Sequence, residues 1–150
     1  MLRLQWLVEP GAGVHFPPPA DKARTDGLWQ TTCFELFLRQ PDQAHYLEFN
    51  FSPSGRWAAY AFDDYRSGMR PAALARAPVC SLEVVDGIAR FTAELPLAGL
   101  PGFPWSYGLS AVIEERDGTK SYWALAHPTG KPDFHHPTCF AATLPPPSKT

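Results

Sequence analysis

The chain is 150 residues long, 45% hydrophobic, with a formal net charge of -2. That much apolar material can bury a core in one compact domain, which argues against a disordered chain. No basic stripe is available for a nucleic-acid partner, and no apolar run approaches the roughly 20 residues that cross a bilayer, so neither nucleic acid nor membrane is an expected partner.

The N-terminal MLRLQWLVEPGAG has only a short apolar segment broken by Gln5 and Glu9. It does not read as a secretion signal, and a cytoplasmic protein is the expectation. Pro17-Pro18-Pro19, like Pro145-Pro146-Pro147 at the other end, reads as an extended edge or tail.

The most informative stretch is 28–63, which reads as three consecutive β-strands. In 28–38, Leu28, Phe34, Leu36 and Leu38 fall on one side, while Trp29, Thr31, Cys33 and Glu35 fall on the other, because strand side chains alternate in direction. The next strand repeats the pattern, with Leu47, Phe49 and Phe51 opposite Tyr46, Glu48, Asn50 and Ser52. A core face and a polar-aromatic face therefore continue across the pair. Ser52-Pro53-Ser54-Gly55 has type I turn chemistry and predicts a hairpin into Arg56–Phe62.

Residues 64–78 lack alternation and predict a long loop with a short helical turn at Ala72–Arg76. Asp86-Gly87 and Asp117-Gly118 each sit between strand-like runs and predict two-residue hairpins. Between them, Pro96 can open one helical turn, and the glycines and prolines that follow stop it. About eight short strands with turns between them predict an all-β fold, a two-sheet antiparallel β-sandwich of jelly-roll or immunoglobulin-like type with little helix. Trp57, Tyr60 and Trp123 fall in predicted strands and are expected in the core. Cys33, Cys80 and Cys139 are odd in number and lack metal spacing, so reduced thiols are expected.

Four motifs carry a family resemblance: Trp29-x5-Glu35-Leu-Phe-Leu, Glu48-Phe-Asn-Phe-x3-Gly55, Ala93-Glu94-Leu95-Pro96, and Phe134-His-His-Pro-Thr-Cys-Phe140. In order and spacing they resemble carbohydrate-binding module family nine and its DOMON-like relatives, from residue 28 onward. LWQTTCFELF, FNFSPSGRWAAYAFDDYRSGM and SYWALAHPTGKPDFHHP look more closely like an uncharacterised bacterial DOMON-like group. Members of that group usually begin further upstream, which implies a single domain over 1–150 with an N-terminal strand missing or altered.

The resemblance implies a binding module for a carbohydrate or sugar-like metabolite. The sugar-binding members hold a saccharide between two aromatic rings and bond its hydroxyls with charged and amide side chains. One ring falls at Trp29, the carboxylate at Glu35, and the second ring at Phe134 in place of a tryptophan. Glu48 stands where an arginine is expected, which reverses the local charge and suggests a pocket retuned for a cationic or amino-bearing ligand, completed by Lys131, Asp133, His135 or Arg66. The expected ligand-binding set is thus Trp29, Glu35, Glu48, Lys131, Phe134 and His135. Against this, Trp29 could simply be packed under a loop, and both glutamates could be structural acceptors or partners of Arg39, Arg56 or Arg66.

Other functions rank lower. His127, Asp133, His135 and Cys139 could ligate a metal, but no ligand pair has a recognised spacing. Met69 and His127 could be axial haem ligands, as in other DOMON relatives, but neither sits in a motif of the haem-binding branch. No cofactor or metal is expected. Catalytic signatures are lacking, and Glu35 and Glu48 as a glycosidase pair on adjacent strands would lie too close together, so an enzyme is not expected. An interaction scaffold with its polar face covered by a partner is the remaining alternative.

Overall fold

The computed structural model describes residues 1–148. Ten strands form two antiparallel sheets, and the only helical segments among the described residues are two single 3-10 turns. The smaller sheet runs β1 (Leu2–Val8), β7 (Ile88–Leu95), β6 (Val79–Val85). In the larger, β8 (Trp105–Glu114), β2 (Cys33–Arg39), β3 (Tyr46–Phe51), β4 (Trp57–Phe62) and β5 (Arg70–Pro71) lie side by side. Both β9 (Lys120–Ala124) and β10 (Ala142–Leu144) pair with the free side of β8, at different ends of it.

The first core lies between the sheets. Phe34, Leu36, Leu38, Phe49 and Phe51 of the larger sheet face Leu4, Phe91, Ala93 and Leu95 of the smaller, and Phe34 stacks on Phe91 with ring centroids 4.4 Å apart. Alternation explains this set, since every member shares its parity along the strand.

The opposite face of the larger sheet is also buried. Leu28, Cys33, Phe37, Tyr46, Ala58, Tyr60, Phe62 and Phe140 form a second apolar cluster there, roofed by the segment that leads into the 3-10 turn Pro137–Cys139. The roof sits very close: a Cβ on Gly108 would lie 2.3 Å from the Cys139 carbonyl oxygen. Only glycine allows that approach.

Several expectations change. Residues 28–31 are not the start of a strand: Gly27 turns into the left-handed region (φ 77°), Leu28–Gln30 make a 3-10 turn, and β2 begins at Cys33. Leu2, Leu4, Trp6 and Val8 alternate inward and build β1, a strand not anticipated above. Asp86 and Gly87 both take positive φ, as a two-residue turn of this type requires. At the second Asp-Gly only Gly118 does, and the loop is longer, closed by the Glu115 and Thr119 backbones and by Gly118 N–H donating to the Glu115 carbonyl. The helical turns expected at Ala72–Arg76 and after Pro96 do not form. Trp57 and Tyr60 are buried, whereas Trp123 on edge strand β9 is 63% exposed. No disulfide joins Cys33, Cys80 and Cys139.

Candidate functional site: a cavity floored by two carboxyls

On the outer face of the larger sheet is a cavity of about 430 Å³, within the size range of small-molecule sites. Its floor is polar. β2 contributes Glu35 and β3 contributes Glu48 and Asn50, which share this face because Glu35 is paired across the ladder with Asn50, and Glu48 is two residues from Asn50. Phe37, Phe62 and Phe134 supply apolar wall, and Trp29 and Met69 complete the lining while remaining 56% and 58% exposed.

Glu35 and Glu48 are 3% and 7% exposed and lie within hydrogen-bonding reach of each other. Two charges in that position would repel in a medium that screens them poorly, so one must hold a proton. Burial, then the neighbouring Glu48, push the Glu35 carboxyl well above the usual carboxylate range. Burial pushes Glu48 up to about 7, opposed by Arg66 and by the hydrogen bond from Glu35. The Asn50 amide is satisfied when its nitrogen donates to Glu35 Oε1 at 2.9 Å and to the Phe49 carbonyl at 3.2 Å. Glu35 thus accepts from Asn50 and donates to Glu48.

The remaining polar groups are arranged in a chain around this pair. His135 Nε2 lies 3.4 Å from Glu48 Oε1, and its Nδ1 is 2.7 Å from the Tyr46 hydroxyl, which accepts from the Arg66 backbone N–H at 3.1 Å. Burial, followed by the Arg66 charge, lowers the His135 pKa to about 4. The imidazole is therefore neutral where Glu48 is protonated, and the close approach joins neutral partners. Arg66 is held away from the floor by Asp133, at 2.8 Å, and the Tyr65 hydroxyl donates to the same carboxylate.

Of the six residues expected at the site, Trp29, Glu35, Glu48, Phe134 and His135 line this one cavity. Lys131 does not. It is exposed beside Pro132, where its ammonium stays hydrated instead of entering an aromatic wall. Asn50, Phe37, Phe62, Tyr60 and Met69 line the cavity and were not in the expected set. Asn50, Phe37 and Tyr60 share strand parity with the glutamates, a signal present in the sequence, whereas Met69 comes from an irregular loop.

The metal set suggested by sequence is dispersed. Asp133 is engaged by Arg66 and Tyr65, Cys139 Sγ donates to the Asp133 carbonyl at 3.1 Å, and His127 is exposed. Among the described residues no three His, Cys, Asp or Glu side chains converge on a common point. Met69 borders the cavity while His127 lies outside its lining. No described helix is long and apolar enough to cross a membrane.

Fold and cavity together define a class: an all-β, two-sheet antiparallel protein with a concave, carboxyl-floored hollow on the outer face of its larger sheet. Comparison with protein-family models, curated proteins and solved structures finds no match to the chain.

Proposed function

We propose that this protein is a non-catalytic binding module for a small polar ligand, a carbohydrate or sugar-like metabolite, held in the cavity on the outer sheet face. One observation carries the reading: a half-exposed indole, Trp29, borders the same hollow as two buried carboxyls and an amide. An aromatic face offers a stacking surface for the C–H side of a polyol, and the floor supplies both donors and acceptors for its hydroxyls. The motif resemblance to DOMON-like domains and carbohydrate-binding module family nine supports the same class.

A carboxylate-dependent glycosidase is disfavoured by distance. Its two carboxyls must stand about 5 Å apart or more to flank a glycosidic bond, whereas Glu35 and Glu48 lie within hydrogen-bonding reach.

The reading is tested by a thermal-shift screen of neutral glycans and polar metabolites, followed by calorimetry on Trp29→Ala. Exposure of Trp29 means its removal should leave the melting temperature nearly unchanged while weakening a hit by about 1–3 kcal/mol, the worth of an aromatic stacking or hot-spot contact. A hit whose affinity is the same in Trp29→Ala would contradict the assignment of this cavity.

A further inference from the structure

We propose that the ligand of this cavity carries an ammonium group, which replaces the proton held between Glu35 and Glu48 and donates its N–H groups to both carboxylates. The inference rests on the reading of the cavity as a binding site and specifies the chemistry of its occupant.

Among the described residues the floor holds two carboxyls and no free cation. Arg66 is committed to Asp133, and the Asn50 amide to Glu35 and a backbone carbonyl. His135 is occupied on Nδ1 by Tyr46 and is held neutral by burial. From β4, Tyr60 faces the floor, with its hydroxyl donating to Asp26 at 2.5 Å. On the same face, Cys33 is a buried thiol whose pKa is pushed up by desolvation and then by Glu35 and Glu48. Arg66 acts on Glu48 only through space, its guanidinium being paired with Asp133, and none of these groups donates a charged hydrogen bond to the pair, so in the free protein a proton stands in for a bound cation.

A second, independent observation lies beside the pair, just outside the cavity lining. Ser110 on β8 is paired across the ladder with Glu35, so its side chain shares that face. It is 4% exposed, and its Oγ has no hydrogen-bond partner. A buried hydroxyl without a partner is costly and rare. The walls add Phe37, Phe62 and Phe134, whose ring faces attract a desolvated cation. A neutral polyol would leave two carboxyls competing for one proton, whereas an ammonium satisfies both.

The exchange balances. The carboxyl O–H bond breaks, the proton passes to buffer, and one monovalent cation takes the place of another, so the charge of the cavity is unchanged. Above about pH 7, where Glu48 is ionised and a single proton remains on the pair, binding should therefore release about one proton and strengthen about tenfold per pH unit.

The test uses matched pairs that differ in one group, glucosamine against glucose and benzylammonium against benzyl alcohol. Calorimetry at pH 7.5 and pH 8, in phosphate and in Tris, reads affinity and proton release together. The amine of at least one pair should bind at least about tenfold more tightly than its alcohol, the difference between a charge-assisted and a neutral hydrogen bond. Its apparent enthalpy should differ between the buffers by one proton's worth of buffer ionisation. Glu48→Gln, checked for an unchanged fold by its melting curve at pH 5, should lose the amine preference and the proton release together. Equal or tighter binding of the alcohols overturns this inference and leaves the binding-module reading standing. Amine binding without proton release overturns it as well, and failure of every probe at millimolar concentration counts against both.

Discussion

Replacing Glu48 with glutamine should stabilise this protein, and only above a definite pH. The native carboxyl titrates at about 7 against 4.5 when unburied, with desolvation as the main cause. Folding is thus favoured by a proton that the unfolded chain has already lost. This contribution is complete below about pH 4.5 and is gone once the pH has risen through about 7. A difference of about 2.5 in pKa corresponds to roughly 3 kcal/mol at about 1.4 kcal/mol per pH unit. Glutamine keeps the shape and remains neutral throughout: its carbonyl can accept from Glu35 and its amide can donate to His135. Near pH 4.5 the variant and parent should match. By pH 8 the variant should be more stable by about 3 kcal/mol, or roughly 6–12 °C in melting temperature for a domain of this size. Relief of Glu35 from a charged neighbour acts in the same direction. Urea unfolding at four pH values between 4.5 and 8 measures this directly. A stability difference that does not change with pH, or a variant weaker than the parent at pH 8, would refute the argument.

His135 has the opposite sign. Burial holds its pKa at about 4, against 6.5 when unfolded, so its contribution is full above about 6.5 and is lost as the pH falls through about 4. His135→Asn should therefore flatten the acid limb of the stability profile by about 3 kcal/mol, read from urea midpoints between pH 4 and 7. Gly108→Ala should cost about 1–3 kcal/mol, because the new methyl meets the Cys139 carbonyl at 2.3 Å and must displace the roof. Faster amide exchange at 133–140 in that variant, with the inter-sheet core still protected, would confirm that the strain falls on the cavity wall.

Strand parity made much of this legible in the sequence. Glu35, Glu48 and Asn50 could be placed on one face before any coordinates, because β2 and β3 are regular and a slip of one residue would have put phenylalanines in water. That the face is buried was harder to see. Phe37, Tyr46 and Phe62 interleave with the polar residues, and their cover, Phe134 to Phe140, lies far away in the chain and is irregular. Strand β1 was readable from Leu2, Leu4, Trp6 and Val8, but Leu7 and Met1 blur the alternation by being apolar and exposed. Trp29 was assigned to a strand that starts four residues later, because left-handed Gly27 redirects the backbone there. Lys131 shows the limit of loop reasoning: without a period, neighbours in sequence do not fix direction, and Asp133 and His135 enter the wall region while the lysine stays in solvent.

Site-resolved carboxyl ¹³C titration by NMR, on protein labelled at glutamate, tests the central claim most directly. Glu48 should titrate near pH 7, and Glu35 should titrate well above the usual carboxylate range. Ordinary midpoints near 4.5 for both would mean that no proton is shared in the cavity, and the proposed site chemistry would lose its basis.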